Sequence, residues 1–204
     1  MNKFGRIATA CAAVAVAAGI GLTAVPAQAA PNPNVWGQTN VIVSTYSLDT
    51  LAAAGIALKS TRHSVLVPVK AGALLSLPVT LNPATDGLLA HGGGLKFTFP
   101  GSTTKAPITL MRPWIESCSS PDNTCPTLVS LALNGARINL FVIDVTSSSS
   151  HTGPNGTGEA FKGTLSVTNN ASLVKKINLA LGATIFKPGM LFGQVLSHWG
   201  VYAK

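Results

Sequence analysis

Charge is scarce in this 204-residue chain. Only 10% of the residues are Asp, Glu, Lys or Arg, which excludes a solvent-swollen disordered chain and a charge-laced helix. The six acids, Asp49, Asp86, Glu116, Asp122, Asp144 and Glu159, stand singly. Acid–base catalysis needs two groups held close with their pKa values pushed apart, and no such pair is spelled out. His63, His91, His151 and His198 show no ligand spacing of the i, i+4 or C-x₂-C kind, so no metal site is expected. Basic residues are dispersed, with Lys175-Lys176 the one adjacent pair and no interleaved aromatics, which argues against nucleic acid. Together these absences predict a protein that is not an enzyme and has no catalytic residues.

Long apolar runs are also missing, except at the start. Lys3 and Arg6 form a short positive region, Ile7 to Val25 is rich in Ala, Val and Gly, and Ala27-Gln28-Ala29 supplies the small residues a signal peptidase needs. Residues 1–29 therefore read as a cleaved signal peptide, with Gly19, Gly21 and Pro26 interrupting the run that a membrane anchor would need. Its removal takes away Lys3 and Arg6 and lowers the formal charge from +8 to +6 over 175 residues. Residues 30–204 are expected to form one secreted domain that does not span a membrane and lies outside the cell or against its envelope. A modest positive charge favours non-specific attraction to an anionic surface.

Cysteine is equally sparse. Beyond Cys11 in the leader there are only Cys118 and Cys125, flanking a Pro-Asp-Asn turn, and an exported chain meets oxidising conditions. They are expected to pair in a disulfide, worth about 2.5 kcal/mol for a loop of this length.

What is abundant is short strand-like segments. Val41–Val43, Val65–Val69, Leu74–Leu81, Leu95–Phe99, Ile108–Ile115, Leu128–Leu133, Ile138–Val145 and Thr164–Thr168 are rich in β-branched and aromatic residues, with Gly, Pro, Asn, Asp and Ser between them. Two segments read as helix: Leu48–Ala54, capped by Ser47 and stopped by Gly55, and Ala171–Leu181, capped by Asn170 or Ser172 and ended by Gly182. Ser147–Gly158 reads as a long exposed loop. The pattern predicts a mainly β fold, an antiparallel β-sandwich with one or two short helices. Trp114 and Trp199 lie in apolar runs and are expected in the core or on a sheet face, whereas Tyr202, near the end, is expected to fray.

His91-Gly-Gly-Gly94 is the most conspicuous motif. Such a run can present N–H groups as an oxyanion hole in esterases, but no G-x-S-x-G elbow accompanies it. The bland alternative is a glycine turn or bulge with His91 exposed at its edge. Gly87-Leu-Leu-Ala-His-Gly-Gly-Gly-Leu-Lys-Phe-Thr98, followed by Ile108-Thr-Leu-Met-Arg-Pro-Trp-Ile115, resembles the G-x-x-x-H-x-G-x-L strand and its successor in HtaA-type domains, secreted or surface β-domains of actinobacteria associated with haem uptake. Trp36-Gly37 upstream of Tyr46 is similar to their Trp-Gly…Tyr opening. The resemblance implies haem as cofactor, with Tyr46 as the iron ligand and His91 hydrogen-bonded to Tyr46. Two departures stand out: the Trp-to-Tyr spacing is one residue longer, which on a strand turns a side chain to the other face, and Val41-Ile-Val-Ser-Thr45 replaces the Ser-Phe-Arg element. Ala53-Ala-Gly55 and Gly182-Ala-Thr-Ile-Phe-Lys-Pro-Gly-Met-Leu-Phe-Gly193 also resemble elements of uncharacterised secreted actinobacterial proteins.

The expected function is a secreted, non-enzymatic domain binding haem or another flat apolar ligand. Its rivals are a structural or adhesive envelope or matrix protein, in which exposed sheet edges serve self-association, and a hydrolase.

Overall fold

Alternation of buried and outward residues builds this molecule strand by strand. In a computed structural model describing residues 23–24, 35–81, 88–116, 127–133, 136–154 and 156–202, β2 (Val35–Ser44) buries Thr39, Val41 and Val43, while Gln38, Asn40 and Ile42 point the other way. The other strands are β1 (Thr23–Ala24), β3 (Ala57–Ser60), β4 (Val65–Val69), β5 (Gly72–Leu81), β6 (Leu88–His91), β7 (Gly94–Thr98), β8 (Ile108–Glu116), β9 (Thr127–Leu133), β10 (Ala136–Gly153), β11 (Gly156–Val167) and β12 (Leu191–Tyr202). The helices are α1 (Thr45–Ala53) and α2 (Ala171–Leu181). Residues 1–29, expected to be a leader, lie outside the described residues apart from Thr23 and Ala24, as does the segment with Cys118 and Cys125.

The mainly β expectation is met, but the sandwich is replaced by a closed barrel. Eight strands pair antiparallel in the circular order β10-β11-β12-β2-β5-β6-β8-β9 and back to β10. Closure depends on β9, which bonds β8 along one side and β10 along the other. A sandwich leaves edges with unpaired N–H and C=O groups, whereas a barrel satisfies them within the ladder. Outside the ring, β4 pairs with β5, β7 with β8, and β3 with β7.

The expected loop over Ser147–Gly158 is instead the outer half of a hairpin. β10 and β11 stay paired from Phe141↔Val167 to Gly153↔Gly156. Its Ser and Thr residues are exposed on the extension, so the pattern looks polar throughout, yet the backbone ladder is unbroken apart from a bulge after Val145.

Both helices sit at one end of the barrel, where β2 and β11 finish and β12 starts. Ser44, not Ser47, caps α1, accepting the Ser47 N–H on its side chain. Ser47 is buried and donates its hydroxyl to the Phe192 carbonyl at 3.1 Å, pinning α1 to β12. Asn170 caps α2, and Gly182 ends it in the left-handed conformation expected of a C-terminal glycine. Val174, Ile177 and Leu181 of α2 are buried, with Phe97, Phe141, Phe186 and Phe192 in mutual ring contact in the same core. The opposite end of the barrel has no helix among the described residues.

Candidate functional site

The Gly-Gly-Gly run lies where the sheet divides. β6 fills the space between β5 and β8, and past His91 the ladder splits, β4 continuing on β5 and β7 on β8. Gly92 N–H donates to the Pro78 carbonyl at 2.9 Å, Gly94 N–H donates to Ser64 Oγ at 3.2 Å, and the Gly93 carbonyl accepts from Arg112 N–H at 2.7 Å. Two of the three glycine N–H groups are thus engaged in holding the split together, and the turn-or-bulge reading holds over the oxyanion hole.

His91 is not exposed at the edge of that turn. It is fully buried inside the barrel, and both ring nitrogens are engaged. Nδ1 lies 3.1 Å from the Pro113 carbonyl and Nε2 2.7 Å from Thr39 Oγ1, which in turn is 2.6 Å from Ser197 Oγ. A carbonyl only accepts, so Nδ1 carries the proton and donates to Pro113. Nε2 then accepts from Thr39, and Thr39 accepts from Ser197. The chain joins β6, β8, β2 and β12 across the interior. Pro113 is brought into position by a one-residue bulge in β8 between Met111 and Trp114, where Arg112 takes φ 50°. Burial pulls the His91 pKa down from 6.5 to about 4, against the smaller opposing effect of the Pro113 carbonyl, so the ring is neutral at pH 7.

Tyr46 lies elsewhere. It is the second residue of α1, 61% exposed, and its phenol has no hydrogen-bond partner among the described residues. Thr39 touches His91, and the five strand steps from Thr39 to Ser44 span about 17 Å at the usual rise. The expected Tyr46–His91 hydrogen bond is therefore not formed. Tyr46 comes two residues after the end of β2 and stands on the outer side of α1.

At the end away from α1 and α2 the barrel opens into a cavity of about 380 Å³. Leu89, Ile115, Phe161 and Trp199 line its apolar part, and Ser148–Ser150, Thr127 and Glu159 its polar part. Leu89 and Trp199 stand two residues from His91 and Ser197 on the same faces of β6 and β12, so the buried hydrogen-bond chain forms the layer beneath the cavity. Trp199 is buried as expected, with Phe161 edge-on at 5.8 Å. Trp114 faces outward beneath the Arg137 guanidinium, 3.4 Å from its ring centroid. Tyr202 is not frayed. It pairs with Gly156, and its ring lies 6.4 Å from that of Trp36, which also meets His151 and His198.

Thr39, Ser197 and Glu159 were not singled out by the sequence. Two of them had a faint signal: Thr39 and Ser197 are polar at inward positions of otherwise apolar alternations, Thr39-Val41-Val43 and Val195-Ser197-Trp199.

No family model and no curated protein matches the sequence. Solved structures do match in shape. The haem-binding protein HtaB from Corynebacterium glutamicum superposes with a TM-score of 0.51 at 11% identity, covering 83% of this chain and 94% of that one. The C-terminal domain of HtaA from the same organism superposes with a TM-score of 0.50 at 8% identity, covering 82% of this chain and 99% of that one. The chain therefore has the fold of HtaB and of the HtaA C-terminal domain.

Proposed function

We propose that this protein is a secreted, non-catalytic haem-binding domain in which Tyr46 supplies the iron ligand. The observation that carries the reading is the barrel fold shared with haem-binding HtaB over most of both chains. Local chemistry supports it. A tyrosinate oxygen is an established haem ligand, and the Tyr46 phenol is exposed, with no hydrogen-bond partner among the described residues. Leu191, whose carbonyl lies 3.4 Å from Ser47 Oγ, is exposed beside this end of α1, as is Val69 on the neighbouring hairpin. These offer apolar surface to a macrocycle, and Lys70 in the same hairpin offers a cation to its carboxylates. His91 has no part at the iron in this proposal and serves to brace the barrel.

Removal of residues 1–29 and a Cys118–Cys125 disulfide belong to the same reading, supported by the leader pattern and the oxidising destination it implies. Titration of residues 30–204 with haemin tests it. A saturable Soret shift is expected in the wild type and in Tyr202→Phe, and a weakened one in Tyr46→Phe. No saturable shift at micromolar haemin removes the haem reading, and an unchanged Tyr46→Phe removes Tyr46 as ligand.

A structural or adhesive role has one observation in its favour. β4 bonds only β5 among the described residues, and its Val65, Val67 and Val69 are exposed in a row. Growth of scattering with concentration in the same sample supports that role, and a monomer throughout removes it.

A further inference from the structure

The cavity at the end away from α1 and α2 differs in chemistry from the surroundings of Tyr46. It lies at the other end of β2, since Trp199 pairs with Gly37 while α1 follows Ser44. Its floor is apolar, and among the described residues the one ionisable side chain in its lining is Glu159. Glu159 pairs directly with Trp199 in the β11–β12 ladder and with Ser150 in the β10–β11 ladder. Among the described residues it has no ion-pair or hydrogen-bond partner. In a chain with 14 basic and six acidic residues, a carboxylate that no described cation neutralises, at the rim of an apolar cavity, sets the sign of what the cavity accepts.

The geometry points to a second ligand site, for a small amphipathic cation whose ring or short aliphatic body enters between Leu89, Ile115 and Phe161 while its ammonium meets Glu159. Trp199 stands beside that carboxylate, and an indole attracts the same cation as the carboxylate does. The serine hydroxyls of Ser148 and Ser150 accept the remaining ammonium protons. A cavity of about 380 Å³ lies in the range of small-molecule sites. Haem, with its carboxylates, is repelled by Glu159, so this site is independent of the Tyr46 reading. The net positive charge of the molecule does not steer cations toward it, and selection is made locally within a Debye length.

Calorimetry and tryptophan fluorescence with three phenyl compounds of like size test the assignment: 2-phenylethylammonium, 2-phenylethanol and 3-phenylpropionate. Saturable binding of the ammonium is expected, about tenfold tighter than the alcohol, with the carboxylate weakest. Glu159→Gln should bring ammonium and alcohol to similar affinity while leaving the alcohol unchanged. Val145→Trp, at a lining position 42% exposed and so tolerant of bulk, should abolish binding of all three with an unaltered circular dichroism spectrum. The assignment is overturned if the carboxylate binds as well as the ammonium, if Glu159→Gln keeps the preference, or if no compound saturates at millimolar concentration. None of these outcomes touches the Soret titration at Tyr46.

Discussion

Acidifying the protein from pH 7.5 to 4 should weaken it by about 3 kcal/mol through His91 alone. Burial lowers the His91 pKa from 6.5 to about 4 in the folded barrel, and each tenfold change in proton affinity is worth about 1.4 kcal/mol. The sign follows from which state takes up the proton. Below pH 6.5 the unfolded chain protonates its histidine while the folded one does not, so the unfolded state gains and stability falls. The loss accumulates between pH 6.5 and 4 and then levels off, because below 4 the folded ring is protonated as well. Protonation also removes the Nε2 lone pair that accepts from Thr39, which breaks the order of donors leading back to Ser197. Urea unfolding at closely spaced pH values, for the wild type and His91→Gln, isolates this residue. A glutamine amide can donate to the Pro113 carbonyl and accept from Thr39 without titrating, and contributions from carboxylates and other histidines are common to both proteins. The wild type should lose about 3 kcal/mol more than the variant over that range. Equal losses in the two proteins would refute the claim that burial holds His91 neutral.

Three substitutions probe the split beside His91 and the packing of α2. Gly94→Ala should cost at least about 2 kcal/mol, read from the thermal midpoint, because φ there is +154° and a Cβ would run into the Leu110 carbonyl oxygen; Gly101→Ala, with open space around it, should change stability by no more than about 0.5 kcal/mol. Asn178→Ala should cost about 2–3 kcal/mol in urea unfolding, because its side chain donates to the Phe186 carbonyl and accepts from the Ile185 and Phe186 N–H groups, tying the segment after α2 to the helix.

Strands were legible where both faces of a segment are apolar or where β-branched residues cluster, as in Leu140–Ile143 and Val65–Val69. β12 is faint in the sequence beyond the strand-like run around Trp199, because Gly193 and Ser197 dilute its inward face and Gln194 and Gly200 its outward one, although the register shows it central to the barrel. The β10–β11 extension was misread for a related cause: serine and threonine are compatible with a solvated strand, and hydrophobic period carries no signal where neither face is buried. α2 was placed to the residue because its cap, apolar stripe and terminal glycine are all local.

The site shows the same division. The His91 motif was visible, but whether His91 faces a helix tyrosine or a barrel threonine depends on which strands lie opposite it, and Thr39 and Ser197 are distant in sequence from it and from each other. Glu159 looked like one isolated acid among six until the ladder placed it beside Trp199 at the rim of a cavity.

By itself the sequence determined the class of backbone and the two helices, because propensity and capping act over a few neighbouring residues. Only the tertiary structure decided that the sheet closes rather than stacks, that His91 is buried and neutral, and that Tyr46 and Glu159 stand at opposite ends. Those outcomes rest on pairings between strands far apart in the chain, above all β9 with both β8 and β10, and no local pattern encodes which strand will lie beside which.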